Sequence, residues 1–227
     1  MAIKYESIVP WSRSYSEYVF MFGLNESDLS KSILGCGDGP ASFNSVMYKK
    51  GKKVISVDII YQFSIIEIKQ RIKATFDIVM NQTRNNQEKF VWSNIKNIYE
   101  LGLIRLSAMQ EFLNDYEKGK IENRYVCVDL PVLPFNNNNF DLVLSSHFLF
   151  LYTNNLTLDF HIQSIAEMLR VAKEVRIFPL LDFNAIQSPY VEIIMNIYSK
   201  KGYSVKQLKV DYEFQKGGNK MLVIKQS

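Results

Sequence analysis

Three glycines at alternate positions, Gly35, Gly37 and Gly39, follow Ile33 and Leu34 in the run ILGCGDGPASF at residues 33 to 43. Glycine is needed where the backbone turns with positive φ, or where a ligand lies against the main chain with no Cβ in the way. A second apolar run, VISVD at 54 to 58, ends in Asp58, and a later one, RYVCVDL at 124 to 130, carries Asp129. The Asp58 carboxylate thus stands at the carboxyl end of a neighbouring strand, the edge of an open α/β sheet where nucleotide-like ligands bind. His147, one of only two histidines, follows the apolar run FDLVLSS. As a neutral imidazole near pH 7 it can take a proton from an oxygen or nitrogen. Cys36 is a nucleophile by type, but nothing near it in sequence activates it, and a small side chain tolerated in a tight loop accounts for it. His161 falls at a helix start and reads as structural or exposed.

The spacing of apolar residues supplies the elements that must position these groups. Tyr15, Tyr18, Val19 and Phe22 recur at helical spacing ahead of the first strand. Residues 33 to 36 and 52 to 58 read as strands, joined by a helix in which Pro40 suits the first turn and Phe43, Val46 and Met47 face the sheet. Ile65, Ile68, Ile72, Phe76 and Val79 make a helix from 64 to about 80, and Ile104, Ala108, Phe112 and Tyr116 make another after the polar stretch NQTRNNQEKF. Strands follow at 124 to 130 and 140 to 146, separated by an exposed turn at Asn136 to Asn139. A helix carrying Ile165 and Met168 leads to a fifth strand at 174 to 181, which Pro179 must terminate or push to an edge. Ser188-Pro189 opens a last helix, and YSVKQLKV and KMLVIK form a terminal hairpin. The expected fold is α/β: a three-layer αβα sandwich around a seven-stranded, mostly parallel sheet, with one antiparallel strand in a C-terminal hairpin. An extra helical segment lies between strands 2 and 3. One domain covers 1 to 227, with an N-terminal helical cap at 1 to 30 and a helical insertion at 82 to 123.

The glycine loop discriminates among ligand classes. A dinucleotide fold wants G-x-G-x-x-G, whereas here the third glycine falls one residue early and proline stands at 40; a P-loop wants G-K-[ST], and none follows. G-x-G-x-G after a strand, with Asp58 at the end of the next, resembles class I S-adenosylmethionine-dependent methyltransferases. The resemblance extends from Asp129 through Leu133-Pro134-Phe135 to Phe140-Asp141-Leu142-Val143, and on through EMLRVAKEVRIFPL at 167 to 180. From its aromatic opening to FQKGGNKMLVI the chain also resembles small stand-alone bacterial proteins described only as methyltransferases, with no substrate named. There are departures: the lysine-proline-glycine-glycine turn is missing, SSHF replaces the NPPY-type sequence of many base and amide methylases, and Ile33 stands where the family often has an acid.

The resemblance implies S-adenosyl-L-methionine as cofactor and S-adenosyl-L-homocysteine as product. By matching position, Gly35, Cys36, Gly37, Asp38 and Gly39 would lie along its methionine and ribose portion, and Asp58 would accept the ribose hydroxyls. Ile59 would pack on the adenine, Asp129 would accept from its amino group and the Leu130 N–H would point at the ring. Ser145 and Arg13 join the cofactor set, while Tyr18, His147, Phe148 and Tyr152 are candidates for the acceptor pocket, with His147 the candidate catalytic base. With Ile33 in place of an acid, another group must meet the cofactor's ammonium.

Apolar content of 47% with 22% charged residues fits a globular domain, and aromatic content of 13% leaves material for a large pocket. A net charge of +4 is dispersed, so a small-molecule acceptor is expected; the alternatives are an RNA methyltransferase and, favoured by Ile33, a non-catalytic cofactor-binding partner that keeps the fold. Cys36 and Cys127 have no zinc or disulfide spacing, so no metal is expected and the setting is read as cytoplasmic. The N-terminus lacks signal-peptide character, and the longest apolar runs fall short of the ~18 to 20 residues that span a bilayer. The sequence leaves the oligomeric state open.

Overall fold

Ile55, Leu34, Val143, Val175, Ile224 and Val205 stand side by side across the sheet, each paired in register with the next. Apolar residues that fill a whole row in this way bury one face of the sheet. The row belongs to seven strands in the computed structural model, which describes residues 9–226. These are β1 (Ile33–Cys36), β2 (Val54–Val57), β3 (Tyr125–Val126), β4 (Phe140–Ser146), β5 (Ala172–Phe178), β6 (Ser204–Lys209) and β7 (Lys220–Lys225). Their order is β3-β2-β1-β4-β5-β7-β6, with only β7 antiparallel to its neighbours.

Six helices complete the layers: α1 (Tyr15–Met21), α2 (Phe43–Lys49), α3 (Ile65–Arg84), α4 (Ile98–Ile121), α5 (Leu158–Val171) and α6 (Tyr190–Lys200). Side chains alternate across each strand, so β4 sends Val143 to one core and Leu142 and Leu144 to the other. The first core is closed by Ile165 and Met168 of α5 and by Val191 and Ile194 of α6. The second is closed by Tyr18 and Met21 of α1 and by Phe43 and Met47 of α2. A smaller cluster joins Ile68 and Ile72 of α3 to Met109, Phe112 and Tyr116 of α4 and to Tyr125 of β3. The helical segment between β2 and β3 is therefore anchored on the sheet edge.

Capping explains where several helices begin. Ser14 and Ser64 each accept from the backbone N–H three residues on, and Glu17 and Glu67 return the bond to the cap N–H, a reciprocal arrangement that satisfies two otherwise orphaned donors. Gly202, just past α6, takes φ +88°.

Two expectations are corrected. Pro40 is not in the first turn of α2, which starts at Phe43 after Ser42; the Ser42 hydroxyl instead accepts from the Tyr15 N–H at 3.0 Å, pinning the loop to α1. The third strand is two residues, not seven. It pairs only with β2, at Ser56↔Tyr125 and Val57↔Val126, and the chain leaves the sheet before Pro131. Pro179 does terminate β5, which ends at Phe178.

Candidate functional site

β1 and β4 are neighbours, yet the helices that follow them pack on opposite faces: α2 joins one core and α5 the other. A crevice opens at the carboxyl ends of strands wherever the order reverses in this way. Here a cleft opens at that edge. Gly37, Asp38, Gly39, Pro40 and Asp58 line it together with the aromatic residues Trp11, Phe90, Phe178, Tyr212 and Phe214 and with Arg13, Tyr18, Ser146 and His147.

The glycine loop is held from two sides. Gly37 donates to Val57 O at 2.9 Å, and Gly39 donates to Asp58 Oδ2 at 2.8 Å. The other Asp58 oxygen accepts from Ile60 N–H at 2.8 Å. A carboxylate offers about four lone-pair sites, so Asp58 keeps acceptor capacity toward the cleft. Burial pushes its carboxyl up, against these two hydrogen bonds, and the nearby Asp129 adds to the rise. Gly37 has φ +72°, and a Cβ there would come within 2.8 Å of the Phe148 ring, so no other residue fits.

Asp38 turns inward. Tyr18 donates to its Oδ1 at 2.9 Å and Ser56 to its Oδ2 at 2.6 Å, and the residue is 6% exposed. Burial pushes this carboxyl up to about 7, against the bonds from Ser56 and Tyr18, with Asp58 contributing to the rise. The carboxylate lies over Gly35, on the face of β1 toward which residue 33 also points.

Arg13 is buried, and among the described residues no carboxylate lies within ion-pair distance of it. Its Nη1 makes long bonds to the carbonyls of Trp11 (3.4 Å) and Ser12 (3.3 Å), and its buried Nε has no partner among the described residues. Burial lowers the guanidinium pKa, and the charge of Arg105 lowers it further. The nearby Glu17 is already engaged: Arg105 donates to it at 2.6 Å and Tyr212 at 2.8 Å. Burial disfavours the Glu17 carboxylate, yet Arg105, with help from Arg13, holds it down at about 2.

His147 adopts φ +53°, uncommon for a residue with a Cβ, and its N–H donates to Phe178 O at 2.7 Å. Its Nδ1 lies 2.9 Å from Ser146 Oγ and its ring meets Phe178 edge-on at 5.5 Å. Burial, followed by the charges of Arg13 and Arg105, holds its pKa well below the ordinary value, so the ring is neutral at pH 7. His161 is fully buried, with its two ring nitrogens at 2.7 and 3.0 Å from the carbonyls of Thr157 and Leu149, a structural position.

Of the residues singled out from sequence, Arg13, Tyr18, Gly37, Asp38, Gly39, Asp58, His147, Phe148 and Tyr152 share the cleft. Gly35, Cys36, Ile59, Asp129, Leu130 and Ser145 do not line it. Cys36 points into the core, where burial pushes its thiol well up, so the side chain is no ligand contact. Ser145 is fully buried on the face opposite Ser146, which is the serine that reaches the cleft. Ile59 is 47% exposed and Asp129 is exposed, on the outer rim beyond Asp58. Trp11, Phe90, Ser146, Tyr212 and Phe214 were not legible as site residues; the aromatic spacing of the tail at 212 and 214 was the available signal. Phe90 stacks on Phe214 at 4.8 Å and Val91 N–H donates to Phe214 O at 2.7 Å, so the segment after α3 and the loop before β7 roof the aromatic end together.

No family model matches the chain. The uncharacterized protein MJ0045 of Methanocaldococcus jannaschii is 36% identical over 214 residues, 94% of each chain. Among solved structures, the PH0226 protein of Pyrococcus horikoshii aligns over 94% of this chain and 91% of its own, at 13% identity and a TM-score of 0.50. A TehB-like SAM-dependent methyltransferase of Corynebacterium glutamicum aligns over 94% and 88%, at 14% identity and 0.49. Magnesium protoporphyrin IX methyltransferase of Synechocystis, solved with bound SAH, aligns over 89% and 77%, at 12% identity and 0.47. The chain belongs to one family with the Methanocaldococcus jannaschii protein MJ0045, and its seven-stranded sheet takes the fold of the Pyrococcus horikoshii PH0226 protein.

Proposed function

We propose that this protein transfers a methyl group from S-adenosylmethionine to an oxygen or nitrogen atom of a small molecule. The observation that carries this reading is that one cleft is lined by Asp58 and the glycine loop, by His147 and by the aromatic residues Trp11, Phe178, Tyr212 and Phe214. The residues fit the cofactor: Asp58 retains acceptor capacity for vicinal hydroxyls, exposed Ile59 offers an apolar platform beyond it, and Arg13 carries a buried, orphaned Nε suited to a carboxylate. When bound, S-adenosylmethionine supplies a methyl group made electrophilic by its sulfonium.

What the chain must add is position and dryness. Trp11, Phe178, Tyr212 and Phe214 wall the acceptor end, and the Phe90–Phe214 stack roofs it. Holding two reactants in line accounts for up to ~7 to 11 kcal/mol of a barrier. His147 takes the acceptor's proton where the acceptor carries one. The roof favours a compact acceptor over a nucleic-acid strand, whose readers track the backbone with an open basic groove. No helix among the described residues is long and apolar enough to cross a membrane, and we place the reaction in the cytoplasm.

Calorimetry with S-adenosylmethionine and S-adenosylhomocysteine tests the reading, with binding of both expected; failure of both ligands to bind rejects it. Mass spectrometry of cell extract incubated with the protein and methyl-labelled cofactor then identifies the acceptor.

A further inference from the structure

Charges buried in a protein are almost always paired, because an isolated ion away from water is costly. Two side chains that line the cleft break this rule with opposite signs. Arg13 has no carboxylate within ion-pair distance among the described residues, and its buried Nε has no partner there. The neighbouring Glu17 is taken by Arg105 and Tyr212. Asp38 is 6% exposed and, among the described residues, accepts only from two neutral hydroxyls, Tyr18 at 2.9 Å and Ser56 at 2.6 Å.

The backbone brings both charges to one cleft. Arg13 stands directly before Ser14, the cap of α1, and its carbonyl accepts from the Ser42 N–H at 3.3 Å, just beyond the glycine loop. From within the helix, Tyr18 reaches back to Asp38. The start of α1 and the glycine loop thus present a cation and an anion to the same space without joining them. Each keeps capacity for a ligand: the guanidinium has its Nε–H to give, and a carboxylate with about four lone-pair sites has two in use.

We propose that Arg13 and Asp38 are the two halves of a receptor for a zwitterionic α-amino acid group, Arg13 taking the carboxylate and Asp38 the ammonium, and that the arriving ammonium expels a proton from Asp38. The proposal rests on the methyltransferase reading, in which S-adenosylmethionine carries such a group. It assigns the ammonium to an acid on the loop, where the strand offers Ile33. Below neutrality the free protein holds Asp38 as a carboxylic acid. On binding, its O–H bond breaks, the proton goes to solvent, and the electron pair left on the oxygen accepts from an ammonium N–H. The ammonium keeps its own protons.

The surroundings suit this exchange. The groups facing Asp38 are Tyr18 from α1, Ser56 from β2, Cys36 from β1, Asp58 beyond β2 and Tyr61 in the turn after it, while Arg13 lines the same cleft. Burial pushes the Asp38 carboxyl up to about 7, against the bonds from Ser56 and Tyr18, with Asp58 adding to the rise. Burial also pushes Tyr18, Cys36 and Tyr61 well up, so they stay neutral in this range. Asp58 is the one other carboxylate among these groups, and its contribution is common to every ligand that carries the adenosine.

Calorimetry that compares S-adenosylhomocysteine with methylthioadenosine tests the proposal, since the second ligand keeps the adenosine and the sulfur but lacks the amino acid group. Run about one pH unit below the Asp38 midpoint in buffers of different ionisation enthalpy, it counts the protons released. S-adenosylhomocysteine is expected to release about one proton more than methylthioadenosine. Its affinity alone is expected to rise by up to about tenfold per pH unit toward about 7 and then level off. Asp38→Asn and Arg13→Met are each expected to weaken S-adenosylhomocysteine by about 10- to 150-fold and to leave methylthioadenosine affinity unchanged. Asp38→Asn also removes the extra proton. Equal proton counts for the two ligands on the wild-type protein overturn the proposal with no variant needed. Full S-adenosylhomocysteine affinity in either variant overturns it too, as does a parallel loss of both ligands in both folded variants, which assigns the pair to the shape of the cleft. S-adenosylhomocysteine bound with no extra proton rejects the proposal alone; failure of both ligands to bind the wild-type protein rejects it together with the reading beneath it.

Discussion

Asp38 folds its carboxylate back over Gly35 so closely that a Cβ on residue 35 would lie 1.8 Å from Asp38 Oδ2. The first glycine of the loop is thus required by a side chain of the same loop, not by an approaching ligand. It lets an acidic group sit beneath the cleft although the strand offers Ile33 in place of an acid.

Gly35→Ala is expected to destabilise the fold by about 1–3 kcal/mol, the usual range for overpacking a filled site. In an Asp38→Ala background the same change should cost much less, because the clashing carboxyl is gone. Chemical denaturation of the two single variants and the double variant gives the coupling; strictly additive values contradict the assignment.

Asp58→Ala removes the anchor of the Gly39 N–H and, on the proposed reading, the acceptor for the ribose hydroxyls. Hydrogen bonds to a charged group contribute about 1.5–3 kcal/mol, so S-adenosylhomocysteine affinity should fall about 10- to 150-fold by calorimetry. An unchanged dissociation constant would remove Asp58 from the cofactor site.

Stability should fall as pH rises from the ordinary aspartate range through about 7, because of Asp38. Its folded pKa is raised above the unfolded one, so in that window the native state holds a proton that the unfolded chain has released. The contribution is complete below the unfolded value and gone above about 7. Glu17 works the other way: its pKa is lowered to about 2, so its contribution is present above the ordinary glutamate range and lost as pH falls toward about 2. Thermal melts across pH should show Asp38→Asn flattening the neutral slope while leaving the acid limb intact. A neutral slope retained in Asp38→Asn would contradict the prediction.

Glu17→Gln should be among the costliest single changes, about 3–5 kcal/mol, since it leaves fully buried Arg105 without its counter-charge. Combined with Arg105→Met, the loss should be smaller than the sum of the two singles, which urea denaturation will read directly.

The fold was legible because periodicity is local. Leu34, Val143 and Val175 announce buried strands, Ile68 and Ile72 a helix face, and the order of elements follows. The two corrections have tertiary causes: β3 is cut to Tyr125–Val126 by a single-sided edge position, and α2 starts late because Ser42 is tied to α1.

By itself the sequence determined the alternation of strands and helices, the glycine loop, Asp58 at the end of β2 and His147 beyond β4. These are set by spacing along one chain. Only the tertiary structure decided that Asp38 points inward, that Arg13 has no counter-ion among the described residues and that Tyr212 and Phe214 line the cleft. It also put Ser146, rather than Ser145, on the cleft, because neighbouring strand residues face opposite sides.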